Sequence, residues 1–322
     1  VKRIAVLTSG GDCPGLNPCI RSVVRSALAS GVDVLGVRRG WKGLLEDDTV
    51  EMDVRSVAGI VNRGGTILHS SRCPEFREEE QRARAAETLT RHEIDGLIVL
   101  GGNGTLQGAW ALSQQTQLPI IGVPKTIDND VGGTEYALGF DTAVNTAIEA
   151  IDKIRDTATS HERLFLVEVM GRDRGVLALE VALASGAEAV LMPETKTDID
   201  ALCQTLADAK SHGKKSTIVI VAEGDEAGGA YEIASKIKGC SVYEPRVSVL
   251  GYIQRGGAPS ARDRVIGGLF GKAAVDALIA GDGGKLVALR AGNIELVDLA
   301  IAWNEAPPLD ERRLELARVL AS

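Results

Sequence analysis

The stretch KRIAVLTSGGDCPG, residues 2–15, decides the fold. Its first eight residues, KRIAVLTS, are a strand-like run with an aliphatic centre, and they lead into a pair of glycines. A helical pattern follows over 16–29, then a second apolar run over 32–37. Strand, glycine turn, helix and strand open a βαβ unit, with the turn at the carboxyl end of the first strand, where open α/β sheets bind ligands. The spacing GGDCPG departs from the dinucleotide pattern GxGxxG, so no nicotinamide site is expected. A glycine turn ahead of a helix still offers backbone N–H groups to a phosphate. Read alone, it is equally a plain tight turn.

The same pattern recurs along the chain. Residues 94–100 form an apolar strand that runs into GGNGT, 101–105, and a helix over 106–116. Thr105 is expected to cap that helix, whose N-terminus can face an anion, and Gly104 leaves room for a polyphosphate against the backbone. Strand 118–123 then ends in PKTIDND, 124–130. Alternation continues through a helix from 141 to 157, strand 164–169, helix 174–185, strand 188–192 and helix 198–212. Strand 217–221, helix 230–238, a strand and loop over 246–257, helix 262–280, strand 285–290 and helix 309–320 complete it. The expected fold class is α/β, with two doubly wound lobes of mainly parallel sheet and a substrate bridging them. The domain expectation is 1–139 plus about 255–305 for one lobe, and 140–254 plus about 306–322 for the other.

Composition narrows the function classes. Hydrophobic residues make up 44% and charged residues 25%, as in a soluble globular chain. Aromatics are only 3% while glycine occurs 37 times, which suits aliphatic parallel strands and argues against a stacking platform for nucleic acid. A net charge of −8 makes a nucleic-acid or anionic-membrane surface unexpected, so an anionic substrate would need a local arginine cluster. No apolar run approaches 18 residues, and the first nine residues are too strand-like for a signal peptide, so a cytoplasmic location is expected. Cysteines at 13, 19, 73, 203 and 240 have no CxxC or metal spacing, and five reduced thiols are expected.

Within PKTIDND, Asp128 and Asp130 sit two apart in a loop closed by Gly132 and Gly133. In an extended loop that spacing sends two carboxylates to different targets, one free to take a proton and one to hold hydrated Mg²⁺. Thr126 and Lys125 add a hydroxyl and a point charge. The alternative is a polar turn capping the next helix. Arg72, in the loop 70–73 after Arg63-Gly64-Gly65-Thr66 and ahead of a charged helix expected over 75–92, reaches a phosphate or is a surface arginine.

Taken together, GGDCPGLN (10–17), GGNGT (101–105), PKTIDND (124–130), MGR (170–172), AEG (222–224) and LGYIQRGG (250–257) resemble 6-phosphofructokinase of bacterial size, in order and almost end to end. The resemblance implies that the C1 hydroxyl of fructose 6-phosphate attacks the terminal phosphoryl group of the donor, with Mg²⁺ as cofactor. It implies Asp128 as the general base, with Thr126 and Asp130 beside it. Gly11, Arg72, Cys73, Gly102, Asn103, Gly104, Thr105 and Gly108 fall on the nucleotide side. Arg172, with Met170 and Gly171, would steady the transferring phosphoryl group, and Glu223 a sugar hydroxyl. Thr126 and Ile127 line the acceptor, and Arg163, Arg246, Tyr252, Ile253, Gln254 and Arg255 match the 6-phosphate region. In the family Arg163 and Arg246 come from the adjacent subunit, which implies a homotetramer or homodimer with a shared active site.

Three positions depart from the ATP-using pattern. Asn103 stands where an aspartate is associated with Mg²⁺, leaving Asp130 as the charged metal ligand. Lys125 replaces a glycine and is associated with pyrophosphate users. Gly104 is the ATP-type residue, since an aspartate there would repel and crowd the α-phosphate of ATP. The Lys125-plus-Gly104 combination resembles the mixed-substrate subgroup between the two donor classes, and because glycine at 104 excludes nothing, ATP is the expected donor and pyrophosphate the alternative. Tyr252, where histidine is common, keeps a hydrogen bond to phosphate without a charge. A kinase acting on NAD or a lipid is a further alternative, opposed by LGYIQRGG and MGR. A weak nucleotide-binding subunit is another, opposed by Asp128, Asp130 and Arg172. Arg21, Arg25, Arg155, Glu188 and Lys214 resemble an effector site for ADP or phosphoenolpyruvate, whereas Val54 and Gly59 depart from it.

Overall fold

The computed structural model describes residues 1–240, 244–305 and 307–321. In chain order it runs β1 (Arg3–Thr8), α1 (Leu16–Ala29), β2 (Asp33–Val37), α2 (Trp41–Leu45), β3 (Thr49–Met52), a 3₁₀ turn at Pro74–Arg77 and α3 (Glu79–Arg91). Next come β4 (Gly96–Gly101), α4 (Asn103–Gln115), β5 (Ile120–Pro124), α5 (Phe140–His161), β6 (Leu164–Val169), α6 (Val176–Ser185) and β7 (Ala189–Leu191). The remainder is α7 (Ile199–Ser211), β8 (Thr217–Ala222), α8 (Ala230–Ile237), β9 (Pro245–Val249), a 3₁₀ turn at Gly251–Arg255 and α9 (Ala261–Ala280). It closes with β10 (Lys285–Arg290), β11 (Asn293–Asp298), α10 (Ile301–Asn304) and α11 (Glu311–Ala321).

The chain divides into two compact units, Val1–Thr142 with Arg255–Pro307, and Ala143–Gln254 with Pro308–Ser322. The first unit holds a seven-stranded sheet in the order β11-β10-β5-β4-β1-β2-β3. Its five central strands are parallel, and both edge strands are antiparallel. Strands buried on both faces read as unbroken apolar runs, as β4 does with all six residues buried. Each such Leu, Ile or Val side chain contributes about 1.5–3 kcal/mol on burial. Register sets the working edge. Thr8 pairs with Leu100, and Gly101 with Pro124, so the loops after β1, β4 and β5 emerge side by side at the carboxyl edge.

The second unit is a four-stranded, fully parallel sheet in the order β7-β8-β6-β9, with its own core built on Leu164, Leu166, Leu206, Val219, Val221 and Ile233. Val169 pairs with Ala222, which brings Met170 and Glu223 out together at the carboxyl edge. Phe165 pairs with Arg246, at the amino edge. Among the described residues no helix is long and apolar enough to cross a membrane.

The expectation of five reduced thiols fails at one pair. Cys203 on α7 and Cys240, just beyond α8, form a disulfide with Cα atoms 6.0 Å apart. The two are 37 residues apart in sequence, and α7–α8 packing unites them, so no local spacing could announce it. Cys13, Cys19 and Cys73 are free, and burial pushes the thiols of Cys13 and Cys19 far up.

Candidate active site

At the carboxyl edge of the first unit, three loops are tied to one another by hydrogen bonds. The turn after β1 is held by Gly10 N–H donating to Ser71 O at 3.2 Å and by Ser70 Oγ donating to Gly10 O at 2.6 Å. Asn17, fully buried at the start of α1, donates to the carbonyls of Arg63 and Gly64 and accepts from Ile67 N–H, which folds residues 63–67 against the turn. Arg72 is exposed on this loop and Cys73 is half-buried, its thiol pushed up chiefly by burial. Gly11 packs under the guanidinium of Arg255, and a Cβ there would run into it. Arg255 therefore meets the first unit's glycine turn.

The loop after β4 corrects the expectation for Thr105. Helix α4 starts at Asn103 with Gly102 as its N-cap, so Thr105 lies inside the first turn, buried against Gly101, and caps nothing. Gly104 is exposed, and a Cβ added there would meet no atom within 4 Å. The protein's own packing therefore does not require glycine at 104.

In the loop after β5, Asn129 adopts a left-handed backbone at φ 49, and its side chain bridges the loop by accepting from Ala137 N–H at 2.7 Å. That single strained residue turns the chain between the two aspartates. Asp128 is buried at 3% exposure, with its N–H bonded to Thr126 Oγ1 at 3.1 Å, and Ile127 is buried beside it. Lys125 is equally buried and directs its ammonium to the carbonyls of Ser9, at 3.0 Å, and Gly11.

The donor set fits a magnesium ion. Asn103 Nδ2 donates to the backbone oxygen of Asp130 at 3.1 Å and to its Oδ2 at 3.2 Å. Both neighbours are acceptors, so the amide can face them only with its NH₂, which turns Oδ1 the other way. Asn103 Oδ1 and Asp130 Oδ1 are both buried without a hydrogen-bond partner in the protein. An amide oxygen and a carboxylate oxygen, each left without a protein partner, are the ligand types that Mg²⁺ takes together with water and donor phosphate. No group of three or more His, Cys, Asp or Glu suited to a metal occurs among the described residues.

Trp41 and Phe76 stack with ring centroids 4.1 Å apart, and a Cβ at Gly108 would come within 3.1 Å of Phe76 and 3.3 Å of Trp41 Nε1. Trp41 Nε1 is buried without an acceptor. The two aromatics lie 35 positions apart in a chain poor in them, and only the fold joins them to Gly108.

In the second unit the predicted residues separate into two groups. At the carboxyl edge, Arg172 holds φ 52, and its N–H donates to Glu223 Oε2 at 3.3 Å. Gly224 packs on the Arg172 carbonyl so closely that a Cβ would run into it, and Gly171, at φ 150, allows the same loop. Met170 N–H donates to Gln254 Oε1 at 2.9 Å, and Gln254 is fully buried. Tyr252 and Ile253, on the 3₁₀ turn, are exposed. Arg163 precedes β6 and Arg246 lies near the start of β9, both at the amino edge, where Arg246 pairs with Glu244 at 2.9 Å. Of the effector candidates in this unit, Arg155 donates to Ser185 O at 2.6 Å, and Lys214 lies 3.7 Å from the buried Glu188. Arg21 and Arg25 lie on α1 in the first unit.

A family model described as Phosphofructokinase matches residues 3–278. The chain is 50% identical over 321 residues to ATP-dependent 6-phosphofructokinase 1 of Thermus thermophilus, covering 100% of both chains. It is 49% identical over 313 residues to ATP-dependent 6-phosphofructokinase of Clostridium botulinum, covering 96% of this chain and 97% of that one. Among solved structures, Pichia pastoris phosphofructokinase in the T-state matches with a TM-score of 0.88 at 32% identity, over 94% of this chain but only 35% of its own. With six motifs in order, two α/β units of mainly parallel sheet and full-length relatives at this identity, the chain belongs to the phosphofructokinase family.

Proposed function

We propose that this protein transfers the terminal phosphoryl group of ATP to the C1 hydroxyl of fructose 6-phosphate, giving fructose 1,6-bisphosphate and ADP, as a cytoplasmic step of glycolysis. The observation that carries the choice of ATP is the open space over Gly104, where the fold tolerates a side chain and has none. Relatives that match full length are named ATP-dependent 6-phosphofructokinases, which supports the same donor.

Asp128 takes the proton of the attacking hydroxyl. Its buried position on a loop fixed by Asn129 and Thr126 supports that role, because a base must be held within reach of one hydrogen atom. Thr126, Ile127 and Arg172 orient the acceptor and the phosphoryl group, and Glu223, braced by the Arg172 N–H, receives a sugar hydroxyl. Gly11, Arg72, Cys73, Gly102, Gly104, Thr105 and Gly108 cradle the nucleotide, with Trp41 and Phe76 forming an apolar wall next to Gly108. Asn103 and Asp130 would hold Mg²⁺, which would supply charge neutralisation to the donor phosphates.

The sugar 6-phosphate falls to Tyr252, Ile253 and Arg255, on a turn that the buried Gln254 holds through the Met170 N–H, with Arg163 and Arg246 contributed by a second copy, so the working form is an oligomer. Residence of Arg163 and Arg246 at the amino edge of their own sheet supports this, since Arg172 and Glu223 lie at the other edge. A coupled assay for fructose 1,6-bisphosphate tests the reaction. Stoichiometric bisphosphate and ADP are expected, and ATP hydrolysis without bisphosphate would refute it.

A further inference from the structure

Lys125 is buried at 3% exposure, and its ammonium is directed to the carbonyls of Ser9 and Gly11, on either side of Gly10. Gly10 is left-handed at φ 86, so the two carbonyls that flank the bend converge on one cation. A trans peptide holds its C=O and the following N–H on opposite sides. Turning the Gly11 carbonyl inward to Lys125 therefore turns the Asp12 N–H outward from the same turn. The main chain of Lys125 is tied to the neighbouring loop as well, its N–H donating to Gly101 O at 3.0 Å. One residue thus links the ends of β1, β4 and β5. Arg255 approaches Gly11 through its guanidinium, so this peptide has a cation on each of two contacts.

We propose that Lys125 is a positioning residue for the phosphoryl donor, acting through the Ser9–Asp12 turn and not by touching the phosphates. It fixes the turn so that backbone N–H groups and positive potential face the donor before it binds. This inference rests on the donor reading above. It assigns to a lysine in this position a part compatible with ATP, because a cation engaged beneath the backbone neither crowds nor selects the outer phosphates.

The test is Lys125→Met, which keeps length and apolar bulk and removes the ammonium, measured beside wild type in two ways. Steady-state kinetics are expected to show KM for ATP raised about tenfold or more, with kcat within about threefold and KM for fructose 6-phosphate within about twofold, as preorganisation of one ligand's site requires. Amide hydrogen exchange of the ligand-free protein is expected to rise at residues 9–13 and to stay unchanged in the second unit. Ser70→Ala, which deletes only the 2.6 Å bond to the Gly10 carbonyl, serves if Lys125→Met does not fold, and should show both effects more weakly. An unchanged KM for ATP would overturn the proposal. So would a raised KM with ligand-free exchange unchanged, which would mean that Lys125 contacts the donor itself. If wild type does not use ATP, the donor reading fails, while the exchange at residues 9–13 still decides whether Lys125 holds the turn.

Discussion

Arg163 and Arg172 flank one strand from opposite ends: β6 is six residues long, so the two arginines are separated by roughly 20 Å of extended chain. Placed at opposite ends of one strand, the two arginines face opposite edges of their own sheet, which favours their serving different copies of the site. Variants Arg163→Ser and Arg172→Ser, each nearly inactive alone, should recover a substantial part of activity when co-expressed in one oligomer. Mixed oligomers as inactive as either parent would contradict a shared site.

Asp128→Asn keeps the shape of the loop and removes the carboxylate proposed as the base. Turnover should fall by about 10²–10⁴-fold, with KM for both substrates within a few fold. Stopped-flow turnover over a range of pH checks it, and unchanged kcat would mean that another group takes the proton.

Asn103→Asp exchanges an amide donor for a second carboxylate facing Asp130. The hydrogen bond from Nδ2 is lost and like charges meet until a cation binds between them. The variant should melt at a lower temperature than wild type in EDTA, and gain more on adding Mg²⁺. The Mg²⁺ concentration for half-maximal rate should drop several fold. Calorimetry without nucleotide measures the first effect independently of catalysis.

Gly104→Asp tests the open space over α4. Since no protein atom lies within 4 Å of the added Cβ, the melting temperature should stay within a degree or two of wild type. KM for ATP should rise at least about tenfold, equivalent to ~1.4 kcal/mol, because a carboxylate there opposes the phosphates. A destabilised variant with ATP affinity intact would reverse the argument.

Much of the fold was legible because parallel strands buried on both faces advertise themselves. The runs that became β4 and β8 are nearly unbroken aliphatic segments, β1 is aliphatic over Ile4–Leu7, and β6 is interrupted only by Phe165 and Glu168; each ends in a polar loop that holds candidate site residues. Less regular pieces escaped. Edge strands β3 and β11 are partly exposed and carry Glu51, Glu295 and Asp298, so neither shows a clean alternation. Helices α2 and α10 are only five and four residues long, too short for a 3.6-residue period to register.

At the site, residue types were readable and directions were not. PKTIDND announces two carboxylates, but not that Lys125 turns back beneath the Gly10 turn. LGYIQRGG announces Tyr252 and Gln254 alike, yet one is 80% exposed and the other fully buried under the Met170 N–H. The Thr105 cap failed for a local reason. Gly102 and Asn103 can both enter a helix start, and the buried strand end at Gly101 brings α4 in before Thr105. Disulfide Cys203–Cys240 and the Trp41–Phe76 stack are tertiary pairings with no local spacing to reveal them.

The most direct measurement is the initial rate with fructose 6-phosphate and Mg²⁺, supplying ATP or pyrophosphate at matched concentrations. A rate with ATP far above that with pyrophosphate is predicted, with Gly104 admitting the nucleotide and Lys125 held beneath the turn. A pyrophosphate rate equal to or greater than the ATP rate would contradict it, and would make Lys125 the residue that sets the donor.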